Sequence, residues 1–265
     1  MSVLAYVDGI GVLGPGLAGW PDAAACLTAR APYAPAATIL PTPHVLPPAE
    51  RRRTGRVVKL ALSVALETVV HADLNPAGTA SVFSSSGGDG HNCHEICMAL
   101  AEPAREISPT RFSNSVHNAA AGYWSIATGA MAPSNVLCAF DASFAAGLLE
   151  ALAQVAADRR SVLMIAYDTE YPAPLHAKRP IPDAFAIGLL LSPTRSRATL
   201  ARVAASLSDA PAETLQEAAL ERLRASIPAA RGLPLLRRLA LPEGGSTVLD
   251  YLGETRVRVQ IDSCR

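Results

Sequence analysis

Between Thr79 and Ala166 strand-like and helix-like runs take turns, and this alternation restricts the chain more than any single residue does. Thr79-Ala-Ser-Val-Phe83 reads as a buried strand, runs into the glycine turn Ser84-Ser-Ser-Gly-Gly-Asp-Gly90, and is followed by helical spacing from about Asn92 to Ala101. Strand, glycine turn and helix make one βα unit. A helix over Asn114 to Thr128, a strand over Asn135 to Phe140, a helix over Ala142 to Ala157 and a strand over Ser161 to Ala166 continue the pattern. Such an alternation predicts an α/β domain with a mainly parallel sheet.

The flanks are less regular. Val3 to Val7 is strand-like and breaks at Gly9, Gly11, Gly14, Pro15 and Gly16, before a short helix from Asp22 to Arg30. Ala31 to Pro48 is crowded with prolines and reads as an ordered loop. From Glu50 to Leu74, Val57, Leu60, Ala61, Val64, Ala65, Thr68 and Val69 recur at helical spacing, which predicts one long buried helix. Arg51, Arg52, Arg53 and Arg56 would oppose the dipole at its amino end, so partners are expected for them. After Asp183 come candidate strands at Phe185–Leu191 and Thr199–Leu207, a helix from Ala212 to Ser226, a proline- and arginine-rich connector and a last strand at Arg256–Ile261.

Of 265 residues 50% are hydrophobic and 17% charged, with 23 basic against 23 acidic side chains. That supports one large core and argues against disorder and against an electrostatic claim on nucleic acid. The excess of apolar over charged residues hints at a face covered by a partner. No apolar run approaches the length of a membrane span, and no signal peptide precedes the first strand, so a cytoplasmic protein is expected. The five cysteines, Cys26, Cys93, Cys97, Cys138 and Cys264, read as buried thiols.

Local motifs are weak. Ser84–Gly90 lacks the Lys-Ser/Thr end of a phosphate loop, and no cofactor is expected. On a helix His91, Cys93, His94 and Cys97 would point to two faces, so no metal site is expected. The hydrolase elbow Gly-x-Ser-x-Gly is absent, although Ser84, Ser85 or Ser86 could in principle meet His117.

The order of motifs is more specific. Glu106-Ile-Ser-Pro109 leads through Phe112-Ser-Asn-Ser-Val-His-Asn118-Ala-Ala-Ala-Gly122 to Pro133-Ser-Asn-Val-Leu-Cys-Ala-Phe-Asp-Ala-Ser143. This resembles the ketosynthase family of the thiolase fold, as do Val7-Asp-Gly-Ile-Gly-Val-Leu-Gly-Pro15 and the helix after Glu50. The resemblance implies a layered α/β/α fold with a mixed sheet, truncated to the ketosynthase amino-terminal type. Residues 1–193 are then the ketosynthase-like region and 194–265 an abbreviated extension packed on the same domain.

Within that resemblance the nucleophile position falls on Asp141, with Ser143 two residues on. A carboxylate is a poor nucleophile toward thioesters, so no catalytic residue is expected. Only His176 lies downstream, in Pro174-Leu-His-Ala, and matches neither family histidine motif. Cys138, three residues before Asp141, would point into packing. Asp141 also reads as an N-cap for the following helix.

Catalytically silent homologues of this kind resemble the chain length factors of type II polyketide and aryl polyene pathways. The resemblance implies an active ketosynthase as heterodimer partner and an acyl carrier protein as a further partner. It places Phe112, Asn118, Tyr123, Trp124, Phe140, Asp141 and Ser143 at the interface or pocket end, aromatics supplying much of an interface's energy. The alternative is an autonomous acyltransferase or thioesterase that uses Cys138 or a serine of Ser84–Ser86.

Overall fold

A computed structural model describes residues 2–264. In chain order, β1 (Val3–Leu13) is followed by α1 (Trp20–Leu27), α2 (Pro48–Arg53) and α3 (Arg56–His71). Then come β2 (Ala80–Ser84), α4 (Gly90–Ala101), α5 (Pro109–Ser113), α6 (Ala119–Thr128), β3 (Ser134–Leu137), α7 (Ser143–Asp158) and β4 (Val162–Asp168). The rest is α8 (Leu175–Lys178), β5 (Phe185–Ser192), β6 (Ala201–Ser208), α9 (Ala218–Ser226), α10 (Leu233–Ala240), β7 (Gly245–Asp250) and β8 (Arg256–Ser263).

All eight strands join one sheet in the order β3-β2-β4-β5-β1-β6-β8-β7. Only β2 with β3 and β2 with β4 pair in parallel. The five other pairings are antiparallel, so the sheet is mixed and not mainly parallel. The alternation of strands and helices gives parallel pairing only around β2; the chain reverses between β4 and β5, and β1 runs antiparallel to both β5 and β6.

Helices cover both faces. On one, Phe144, Leu148 and Leu152 of α7 pack with Leu223 of α9 and Leu233 and Leu236 of α10 against Ile10, Val12 and Met164. On the other, Val57, Leu60 and Val64 of α3 pack with Trp124 of α6 against Phe83, Leu163 and Ile165. Each such fully buried side chain contributes roughly 1.5–3 kcal/mol of transfer free energy. The stretch Phe140–Asp158 is long and apolar enough to cross a membrane by composition, but α7 lies on β1, β2 and β4 as a core helix.

Several boundaries differ from the sequence reading. β1 does not stop at Gly9 but runs on to Leu13. Its glycines serve a close approach: a Cβ on Gly9 would lie 2.3 Å from the Thr68 carbonyl oxygen, and one on Gly11 2.5 Å from that of Val64. The helix expected over Glu50–Leu74 breaks at Thr54–Gly55. Arg51, Arg52 and Arg53 therefore sit in the last turn of α2, where cations complement the dipole. Residues 114–118 and 212–217 are not helical, and α10 and β7 occupy what read as connector.

Candidate functional site

Because β3, β2 and β4 run in parallel, their carboxyl ends open on the same side, and the loops that follow meet there. Ser84–Ser86 leave β2, Cys138–Ser143 leave β3, and Asp168 closes β4. A 3₁₀ turn over Phe140–Ala142 carries the chain from β3 into α7.

Asp141 is the charged tip of that turn. Its carboxylate accepts from Arg179 Nη2 at 2.8 Å and from Arg231 Nη2 at 3.2 Å. Arg179 comes from just beyond α8, and Arg231 from a 3₁₀ turn over Pro228–Gly232. The capping role expected for Asp141 is not realised: Ala142 occupies the N-cap of α7 and no side chain caps it. The two guanidinium groups hold the carboxylate instead. Phe140 beside it has φ 52°, a left-handed conformation that costs an aromatic residue strain, and the residue is 60% exposed. The guanidinium carbon of Arg179 lies 3.6 Å from the centre of that ring, a cation–π contact. Ser143, buried, closes the turn: its hydroxyl donates to the Phe140 carbonyl at 2.7 Å and accepts the Ala139 N–H at 3.1 Å.

Beneath the tip lies a sealed acid. Asp168 accepts from the Ser86 N–H at 2.9 Å, the Ser86 hydroxyl at 2.6 Å and the Ala229 N–H at 2.9 Å. Burial nevertheless pushes its pKa up to about 6, against the pull of these donors and of Arg179. Ser84 donates to the Ser143 carbonyl at 2.6 Å. The hydroxyls of Ser84 and Ser86 are thus given to a carbonyl and a carboxylate, and neither meets His117.

Cys138 does not point into packing. β3 ends at Leu137, and the exposed thiol donates to the Ser86 carbonyl at 3.1 Å. Cys93 and Cys97 are likewise exposed on α4, not buried, because that helix turns most of its surface to solvent. Among the described residues no three His, Cys, Asp or Glu side chains gather as metal ligands.

The remaining candidates divide into two groups. Phe112 is exposed, as is Asn118 where α6 begins. Tyr123 and Trp124 are buried within the chain against α3, the Tyr123 hydroxyl donating to Asn114 Oδ1 at 3.2 Å. A polar cleft of about 460 Å³ opens where α2, α4 and α5 meet, lined by Arg52, Arg53, Arg56, Arg111 and His91 around Asp89.

The sequence reading missed Arg179, Arg231 and Asp168. Asp168 carries a signal, an acid ending the apolar run Val162–Tyr167; the arginines lie 38 and 90 residues from Asp141 and carry none.

Layers, mixed sheet and nucleophile-type turn define a thiolase-like, ketosynthase-type fold. The family profile for the beta-ketoacyl synthase N-terminal domain matches residues 25–235, and the chain belongs to that family. The ketosynthase (ApeO) in complex with its chain length factor (ApeC) from Xenorhabdus doucetiae is similar at 24% identity and TM-score 0.73, over 97% of this chain and 99% of that one. The ishigamide ketosynthase/chain length factor is similar at 14% identity and TM-score 0.72, over 98% and 99%. The type II polyketide synthase complex AntDE:AntF, an acyl carrier protein with its ketosynthase bound to the hexaketide, is similar at 10% identity and TM-score 0.75, over 99% and 100%. No curated protein sequence matches the chain.

Proposed function

We propose that this chain is a non-catalytic, chain-length-factor-like subunit that pairs with an active ketosynthase and shapes the tunnel for an acyl or polyene chain in the cytoplasm. The observation that carries the reading is the open edge of the sheet. β3 is terminal in the sheet and short, and Phe112, Ile126, Met131 and Phe140 stand exposed on the segments that precede and follow it, Met131 by 91%. A strand with one open edge beside solvent-facing apolar side chains favours a protein partner. Asp141 supports the silent half of the reading, since a carboxylate tied to two arginines is no acceptor for an acyl group. Residues 194–265, an abbreviated extension in this reading, supply Arg231 to that tie and Ala229 to Asp168. The arginine cleft suits the phosphodiester of a carrier protein's pantetheine arm.

Co-expression with a cysteine-bearing ketosynthase should yield a stable heterodimer and condensation that depends on both chains. Unchanged products and rate without this chain would overturn the proposal. The exposure of Cys138 favours a second reading, an autonomous acyltransferase. Intact mass after incubation with an acyl thioester separates the two: no stoichiometric adduct is expected, whereas an adduct abolished by Cys138→Ala would favour the rival.

A further inference from the structure

Cys93 and Cys97 stand one turn apart in the middle of α4, and both are exposed. The helix is fastened on another side: Asn92 Nδ2 donates to the Arg111 carbonyl at 2.8 Å, and Arg111 of α5 pairs with Glu95 at 3.1 Å. At about 100° per residue, Asn92 and Glu95 share the face held to α5, and Cys93 and Cys97 fall together on the face turned away from it. Free cysteines are among the most buried side chains in folded proteins, and these two fill no core. Partial burial raises the pKa of Cys93, and the Cys97 thiol beside it raises it further, which marks the two sulfurs as neighbours.

Spacing decides what such a pair can hold. Cβ atoms four residues apart on a helix lie about 5–6 Å from each other, whereas a disulfide needs about 3.5–4.5 Å. A direct S–S bond would therefore have to undo the turn between the two residues. Two metal–sulfur bonds of about 2.3 Å each reach across the same gap with the helix intact. Among the described residues no third His, Cys, Asp or Glu joins the pair as a ligand. Zinc, which takes four ligands in structural sites, would be left half-coordinated by the protein. Copper(I), a soft monovalent ion that thiolates select, is satisfied by two.

We propose that Cys93 and Cys97 form a copper(I) site on the exposed face of α4. Binding replaces two S–H bonds by two S–Cu bonds and releases two protons to solvent, with no change of oxidation state. The site does not depend on the chain's pairing with a ketosynthase. The test is an anaerobic titration of the full chain with copper(I) against a chromophoric copper(I) chelator, with the metal retained counted per chain. One ion per chain is expected. Cys93→Ser and Cys97→Ser should each weaken retention about 100-fold, the gain from holding a second thiol in place, and neither should shift the melting temperature. Cys138→Ser, at another exposed thiol, should leave retention as it was. Phenylarsine oxide, whose arsenic joins two thiols with loss of one water, should add once per chain by intact mass and should not add to either α4 variant. No retained ion, retention that survives either α4 variant, an equal loss from Cys138→Ser, or an arsenical that adds equally to the variants would each overturn the assignment.

Discussion

The two edges of the sheet are finished differently. β7 is covered by its own chain: the Glu213 N–H donates to the Val248 carbonyl at 2.8 Å, and the Glu213 carboxylate is held by Arg238 at 2.9 Å and Arg237 at 3.5 Å. Arg224 of α9 fastens the end of β7, donating to Asp250 at 2.8 Å and to Glu221 at 2.7 Å. β3 has no such cover from the described residues and is surrounded by exposed apolar side chains. Of the two edges, the bare one is open to a further strand or partner, and the one closed by charge networks is not.

The largest effect should come from charging the bare edge. Ile126→Asp with Met131→Asp, both at exposed positions, should weaken binding to a ketosynthase about 100-fold in a titration while leaving the melting temperature of the isolated chain unchanged. Leu207→Asp, equally exposed but on β6 in the covered half, should leave that affinity as it was; equal losses from both would erase the distinction between the edges.

Next in size is the acid that ties the two halves. Asp168 on β4 holds the Ala229 N–H of the carboxyl-terminal region, and its folded pKa of about 6 stands above the usual carboxylate value of 3.8. A raised value means that the folded state holds the proton more tightly, so this group's contribution to stability is full below the unfolded value and is lost as pH rises through about 6. Comparing denaturation of the wild type and Asp168→Asn between pH 4 and 7, the variant should gain on the wild type as pH rises, by on the order of 2–3 kcal/mol. A pH-independent difference would place the Asp168 proton elsewhere.

Breaking the covered edge should cost less. Arg224→Ala leaves Asp250 and Glu221 without their shared cation and should lower stability by about 1–3 kcal/mol in chemical denaturation, with ketosynthase affinity retained. The smallest effect is expected at the tip: Asp141→Asn, in a half-exposed pair of ion contacts, should change stability by less than about 1 kcal/mol.

The sequence carries the elements whose signals are local. Thr79–Ala101 folds as the strand, turn and helix its pattern suggests, and α7 follows from the spacing of Phe144, Leu148 and Leu152. Gly9 and Gly11 read as strand breakers because their use, admitting the backbone of α3, involves residues more than fifty positions away. α10 was hidden by Pro234 and its arginines, although proline in a first helical turn is a start signal. At the candidate site the turn and its aspartate were legible. The groups that hold it were not, since Arg179 and Arg231 are brought there only by the return of the chain through β5 and the carboxyl-terminal helices.

Phe140 shows what this arrangement asks of the backbone. Glycine would sit in its left-handed geometry with ease, at a saving of about 1 kcal/mol, but could offer Arg179 no ring to rest on. With that support gone the guanidinium would keep its hydrogen bond to Asp141 but lose the ring beside it, and the acid at the tip would rest more on Arg231. The contour of the tip is thus dictated by an uncomfortable aromatic as much as by the charges it steadies.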